Sequence, residues 1–388
     1  MQIVLLGVLS FLLIVFTKDL FNPACITSVV WFVISIAYTQ IEHDLFPLSS
    51  TFFTVVLFWV YSFSFGVLLT YKRKYKICNK IHESIQIRFS KTENLIILFL
   101  LLSVFLLFIE SVKTGYSIFG LVRNYQLQKS SSTISISIVS FILTFIVPFI
   151  LYDLMESKSR KKIIVFILYL IVVVLSGSKS TFMSFFSMLV FLLLYRKKIK
   201  LKLIILLIVF MLVILYIITF SRDKNVYHSL TDLFFIYLFS PLTAFDQVLN
   251  KNVIPNETPF GSITFGIFYR IFNKLGLCNI PNNGLGFINV PLPTNVYTVM
   301  LTGYLDYGIL GMNIFSFLYG LMWGYLYSFV RRNFLFFKLI YGSFYYVLVF
   351  QFFSDYVFPY LMVFIYPIVI LLFSFFKIKF YSLRYKND

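Results

Sequence analysis

Long apolar runs alternate with short polar stretches along most of this chain. The runs fill roughly residues 1–17, 23–41, 50–71, 95–112, 134–152, 163–176, 181–195, 203–220, 309–330, 339–357 and 360–376. A segment needs about 20 mostly apolar residues to cross a ~30 Å hydrocarbon layer. Backbone groups there must be paired within the segment, which predicts helices. No two-residue alternation of the barrel kind is present. The expected fold class is an all-α polytopic integral membrane protein with about 11 transmembrane helices. The pair of short runs around 176–180 also reads as one re-entrant hairpin. One stretch departs from the pattern: in 221–308, Arg222, Asp223, His228, Asp246, Glu257, Arg270 and Asp306 interrupt the apolar sequence. Residues 1–388 read as a single membrane domain, with 221–308 as one large extracytoplasmic loop carrying the candidate active site.

Composition agrees. Hydrophobic residues make up 60% of the chain, charged residues 12%, and the mean hydropathy is +0.91, a balance outside that of soluble globular domains. The net charge of +18 would suggest nucleic acid, but its distribution does not. Of the 33 lysines and arginines, 24 lie between alternate runs or at the C-terminal end: Lys18, then clusters at 72–91, 158–162, 196–202, 331–338 and 377–386. Basic residues concentrate on the cytoplasmic side of membrane helices. The expectation is therefore an N-terminus outside, a C-terminus inside, the 221–308 loop outside, and no nucleic-acid partner. The first run has no basic residue before it and no A-x-A site after it, so no cleavable signal is expected. The three cysteines, Cys25, Cys78 and Cys278, are scattered and have no metal-ligand spacing. There is no GxxxxGK[ST], no GxGxxG after a strand and no HExxH, so neither a metal nor a cofactor is expected.

With the cytoplasmic clusters set aside, four cations stand out on the opposite face. Lys179 lies in the hydroxyl-rich Ser176–Ser180 turn. Arg222 opens the long loop, Arg123 lies in Gly120–Tyr125, and Arg270 sits among aromatics in Phe268–Phe272. Each alone reads as a headgroup-snorkelling residue. Together they suggest an anion site, because arginine and lysine suit phosphate oxygens. The acids include Glu257, in the rigid Pro255–Pro259 segment, and Asp306, in Gly303–Gly308 at the membrane edge. Asp306 also reads as a structural partner of an arginine, and Asp246 as a helix-surface acid. His228 is the histidine noted there for proton transfer.

Ser176-Gly-Ser-Lys-Ser180, Arg222, Pro293-Thr-Asn-Val-Tyr297 and Gly303-Tyr-Leu-Asp-Tyr-Gly-Ile-Leu-Gly311 give the chain a resemblance to the Wzy-type O-antigen polymerases. The architecture is similar over the whole chain, the local motifs over about 130 residues. Some members carry arginine where this chain has Lys179. The resemblance implies a bacterial inner-membrane enzyme that transfers a growing glycan from undecaprenyl diphosphate onto the next lipid-linked repeat unit. It implies cations (Arg123, Lys179, Arg222, Arg270) on the diphosphates and a base for the attacking hydroxyl, with Glu257 and Asp306 as candidates. It also implies Asn295, Tyr297 and Tyr304 on the sugars. Donor and acceptor glycolipids, membrane lipids and a chain-length regulator protein are the implied partners. An O-antigen ligase and a lipid-linked oligosaccharide flippase remain the alternatives.

Overall fold

A computed structural model describes residues 1–71, 92–114, 134–156, 161–176, 179–195, 230–250, 260–277, 287–291 and 293–355, with isolated positions at 213, 365 and 368–369. Among these residues the chain forms eleven helices and one short ribbon. The helices are α1 (Gln2–Thr17), α2 (Pro23–Gln40), α3 (Ser50–Thr70), α4 (Thr92–Thr114), α5 (Ile134–Glu156), α6 (Lys161–Leu175), α7 (Lys179–Tyr195), α8 (Leu230–Leu249), α9 (Gly266–Lys274), α10 (Met300–Arg331) and α11 (Leu335–Val349). Strands β1 (Ile288–Asn289) and β2 (Pro293–Thr294) pair antiparallel. Four helices are long and apolar enough to cross a membrane: α2, α3, α4 and α10.

The expectation was about eleven spans; four of the described helices have that length and apolarity, and the eleven helices do not coincide with the eleven apolar runs. The apolar runs at 203–220 and 360–376 lie almost entirely outside the described residues, while α8 and α9 arise inside the stretch read as a loop. The first three helices start and stop within a residue or two of the sequence reading, because their ends carry local signals. Pro23 opens α2, and the Asn22 side chain accepts a hydrogen bond from the Ala24 N–H at 2.9 Å. The Ser49 hydroxyl likewise accepts from the Phe52 N–H at 3.1 Å at the start of α3. Such caps satisfy N–H groups that the helix itself leaves open.

The chain divides into two compact units, one of residues 1–76, 229–332 and 347–361, the other of 77–228, 333–346 and 362–388. In the second unit, α5 packs on α4, α6 and α7. Helices α6 and α7 are separate, with 15 and 17 residues, or about 22 and 26 Å at 1.5 Å per residue. Gly342 of α11 faces Leu151 and Phe191 so closely that a Cβ would lie 2.5–2.6 Å from them.

The first unit is organised on the seam between α3 and α10. A Cβ on Gly66 would stand 2.3 Å from the Phe317 carbonyl oxygen, and one on Gly320 2.1 Å from that of Phe63. The two backbones therefore touch, as small residues permit between membrane helices. The Ser316 hydroxyl donates to the Trp59 carbonyl at 2.7 Å across the same seam. On its far side α10 exposes Leu310, Ile314, Leu318 and Met322, spaced every four residues as a lipid-facing stripe would be.

Helix α10 does not run straight. Gly308 has φ 68° and ψ −170°, values that no helix contains, in a region open essentially to glycine alone. The chain reverses there. A Cβ on Gly303 would lie 3.3 Å from Met312 Cα, whereas nine residues of straight helix would separate the two by about 13 Å. Residues 300–307 thus fold back along the start of 309–331. The sequence reading placed the start of this span at 309, next to the true turn, but missed the helix leading into it.

The root of that folded-back helix lies deep in the unit. The Val299 N–H donates to the Gln351 carbonyl at 2.9 Å. The fully buried Gln351 side chain accepts from Trp31 Nε1 and Trp59 Nε1, each at 3.3 Å, and donates to Thr27 Oγ1 at 2.9 Å. Trp59 is close to the middle of α3, so Val299 and Ser316, on either side of Gly308, reach the same level. Gln351 also marks a departure from expectation. The apolar run at 339–357 was read as one span, but helix α11 ends at Val349 and a turn follows at 350–353.

Candidate functional site

Arg270, Asn295, Tyr297, Tyr304 and Asp306 all belong to the first unit, on the elements around its Gly308 end. Two buried carboxylates organise it. Asp306, on the folded-back helix, accepts from the Thr264 N–H at 2.7 Å, the Thr264 hydroxyl at 2.6 Å and the Ile263 N–H at 3.2 Å. Asp246, on α8, accepts from the Ser49 N–H at 2.9 Å, from the Ser49 hydroxyl, and from Asn250 Nδ2 at 3.0 Å. Both acids use the same device: a carboxylate holding the N–H and hydroxyl of a Ser or Thr on another element. A buried carboxylate requires such partners, since desolvation without them is costly.

This geometry bears on two readings. Asp246 was expected on a helix surface, and it is on a helix, but it is only 1% exposed. Asp306, a candidate base or partner of an arginine, has a carboxylate that holds the turn leading into α9. That turn needs Gly261, whose φ is 72° and whose Cβ would press on Phe265 and Tyr307 at 3.1 Å. The Phe260 and Tyr307 rings meet edge-on at 4.9 Å, and the Tyr269 hydroxyl donates back to the Phe260 carbonyl at 2.7 Å. The Asp306 clamp thereby fixes the helix that carries Arg270, whose side chain is exposed.

The candidate sugar-binding residues are close in sequence but differ in setting. Tyr297 is 6% exposed and packs with Ala244, Val248 and Val290. Tyr304 covers the same cluster from outside, with its ring 5.9 Å from that of Phe245. Asn295 follows β2 and is exposed. The ribbon is tied to α8 by Ser240, whose hydroxyl donates to Thr294 Oγ1 at 3.2 Å. Asn295 and the rim of Tyr304 are accessible to a ligand, while Tyr297 is a core residue beneath them.

Arg123, Arg222, Glu257 and His228 lie outside the described residues. Lys179 is the first residue of α7, in the second unit.

Sequence reasoning passed over the short connection between α2 and α3. Ser49 and Asp246 place this connection at the same end, and Tyr38 OH meets Thr243 Oγ1 of α8 at 3.1 Å. Glu42 and Asp44 are exposed here. His43 is half-buried, 4.3 Å from the Tyr38 ring and 5.3 Å from that of Phe239. The signal was available: a Glu-His-Asp triplet between two outward ends of spans, on the face where the candidate acids were sought.

A family model described as "Putative O-antigen polymerase" matches residues 19–353 of the chain. No curated protein and no solved structure matches it.

Proposed function

Because the chain belongs to the O-antigen polymerase family, we propose that it joins undecaprenyl-diphosphate-linked oligosaccharide repeat units into O-antigen at the periplasmic face of the bacterial inner membrane. In this reaction a hydroxyl of the acceptor unit attacks the anomeric carbon of the donor glycan. The new glycosidic C–O bond forms as the bond to the diphosphate breaks, the hydroxyl proton passes to a base, and undecaprenyl diphosphate leaves. The family match is the observation that carries this reading.

Two demands follow from the chemistry. Negative charge grows on the departing diphosphate, and fixed cations stabilise it most where they are preorganised. Arg270 is the described cation suited to this, because the Asp306 clamp sets its helix; Arg123, Lys179 and Arg222 are proposed to share the role. The second demand is a base within hydrogen-bond reach of the acceptor hydroxyl. Among the described residues the hydrogen bonds to Asp306 come from Ile263 and Thr264, so we assign it a positioning role and the base to Glu257. Asn295 and Tyr304 are placed on the sugars.

Deleting the gene in its host tests the proposal through the lipopolysaccharide ladder. Loss of a polymerase leaves core carrying a single repeat unit, since one unit is still ligated. A ladder reduced to bare core would overturn the proposal in favour of a ligase or a flippase.

A further inference from the structure

Helix α9 is the least enclosed element of the first unit. Phe268, Ile271, Phe272 and Leu275 repeat at intervals of three, one and three residues, so they share one face, and each is between 44% and 65% exposed. Gly276, at φ 71°, ends the helix. The Leu277 N–H reaches back to the Phe272 carbonyl at 2.9 Å and the Gly276 N–H to that of Asn273 at 3.0 Å. This glycine-terminated pattern characteristically sets the residue after the glycine beside the one five positions earlier. It extends the apolar face to Leu277, which is 71% exposed. Arg270 and Lys274, one turn apart, are the charged residues of 260–277, which contains no acid.

Helix α9 also has a fixed level in the molecule. The turn that precedes it is held by Asp306, two residues before Gly308, and Phe260 meets Tyr307 edge-on. The lipid-facing stripe of α10 begins just past that glycine, at Leu310, which is 82% exposed. Helix α9 therefore stands at the level where that exposed apolar stripe begins. Its two cations match anionic headgroups, which attract basic residues near a membrane surface.

We propose that α9 lies in the headgroup layer of the bilayer, with Phe268, Ile271, Phe272 and Leu275 inserted at the acyl boundary and Lys274, one turn beyond Arg270, directed at anionic phospholipid. The segment is then an interfacial anchor that holds the candidate site at the depth of a lipid-borne diphosphate. The anchoring holds whatever glycan the protein handles.

The test uses full-length protein reconstituted in vesicles of phosphatidylcholine and phosphatidylglycerol, with F268W, L275W and, on the other face, N273W. Fluorescence is read as the difference from the parent protein, whose tryptophans are Trp31, Trp59 and Trp323. F268W and L275W should emit in the blue. They should be quenched several-fold more by lipids brominated near the headgroup end of the acyl chain than by lipids brominated near its terminus, with N273W quenched least. Replacing phosphatidylglycerol by phosphatidylcholine should weaken the quenching. Water-like red emission without quenching at both apolar-face positions would overturn the proposal. Blue emission without quenching would overturn it too, by showing that another protein surface covers this face.

Discussion

Along the α3–α10 seam, Gly66, Gly320 and Gly324 let two backbones touch; at the Gly308 end, Asp246 and Asp306 reach across to N–H groups of other elements. Both regions belong to one unit and lie within a few turns of each other. The seam gains its contacts from the absence of side chains, which leaves no freedom to slide. The Gly308 end is held by a few strong hydrogen bonds between otherwise separate segments: the turn before α9, the connection before α3, and α8. The proposed reaction between two lipid-borne substrates would benefit from this division, since the scaffold stays fixed while the end can be built from irregular backbone.

The widest separation between the two regions should come from G320L. Its side chain meets the Phe63 carbonyl, which is backbone and cannot turn away. Overpacking of this kind costs about 1–3 kcal/mol or more, and the expected result is loss of folded protein, read as yield and melting temperature in detergent. R270A should do the opposite. Removing one preorganised contact to developing charge typically costs 10²–10³-fold in rate, roughly 3 kcal/mol in the transition state, while melting stays unchanged. A normal ladder from R270A would leave that arginine as a headgroup contact only.

D306N tests the clamp. It turns an acceptor into a partial donor facing two N–H groups, a loss of about 1–3 kcal/mol for a buried hydrogen-bonded group. The expected outcome is a lowered melting temperature with shortened glycan chains, and T264V should share both effects. Were Asp306 the base instead, D306N would abolish chains without the matching loss in melting, and T264V would polymerise normally. The smallest effect belongs to S49A, which removes a helix cap and one partner of Asp246. A cap is worth about 1 kcal/mol, so a modest drop in melting with a normal ladder is expected.

The sequence shows local signals well and distant partners poorly. The starts of α2 and α3 were legible because Pro23 and Ser49 act within three residues of themselves. Asp246 was readable as helical but not as buried, since the group that buries it is Ser49, 197 positions away. Gln351 escaped notice because one amide among Phe350, Phe352 and Phe353 hardly alters the hydropathy of a twenty-residue window. Yet its two tryptophan partners lie about 300 positions upstream and make it a centre of the fold. Helix α8 was hidden by Pro241 and Asp246, which lower its apolar score although its second half is enclosed.

The reversal at Gly308 changes how this protein should be mapped. Hydropathy counts 300–331 as one 32-residue span, but only the part after Gly308, about 35 Å of helix, runs in a single direction. A reporter fused between 300 and 307 would sever a hairpin, so its signal would describe a truncated chain. A cysteine at Thr302, 4% exposed, would resist aqueous thiol reagents from either side of the membrane. Labelling surveys would score that position as embedded and insert a crossing that does not exist. Sidedness along this stretch is better assigned from Asn295 and Lys274, which are exposed, than from any residue between them and Gly308.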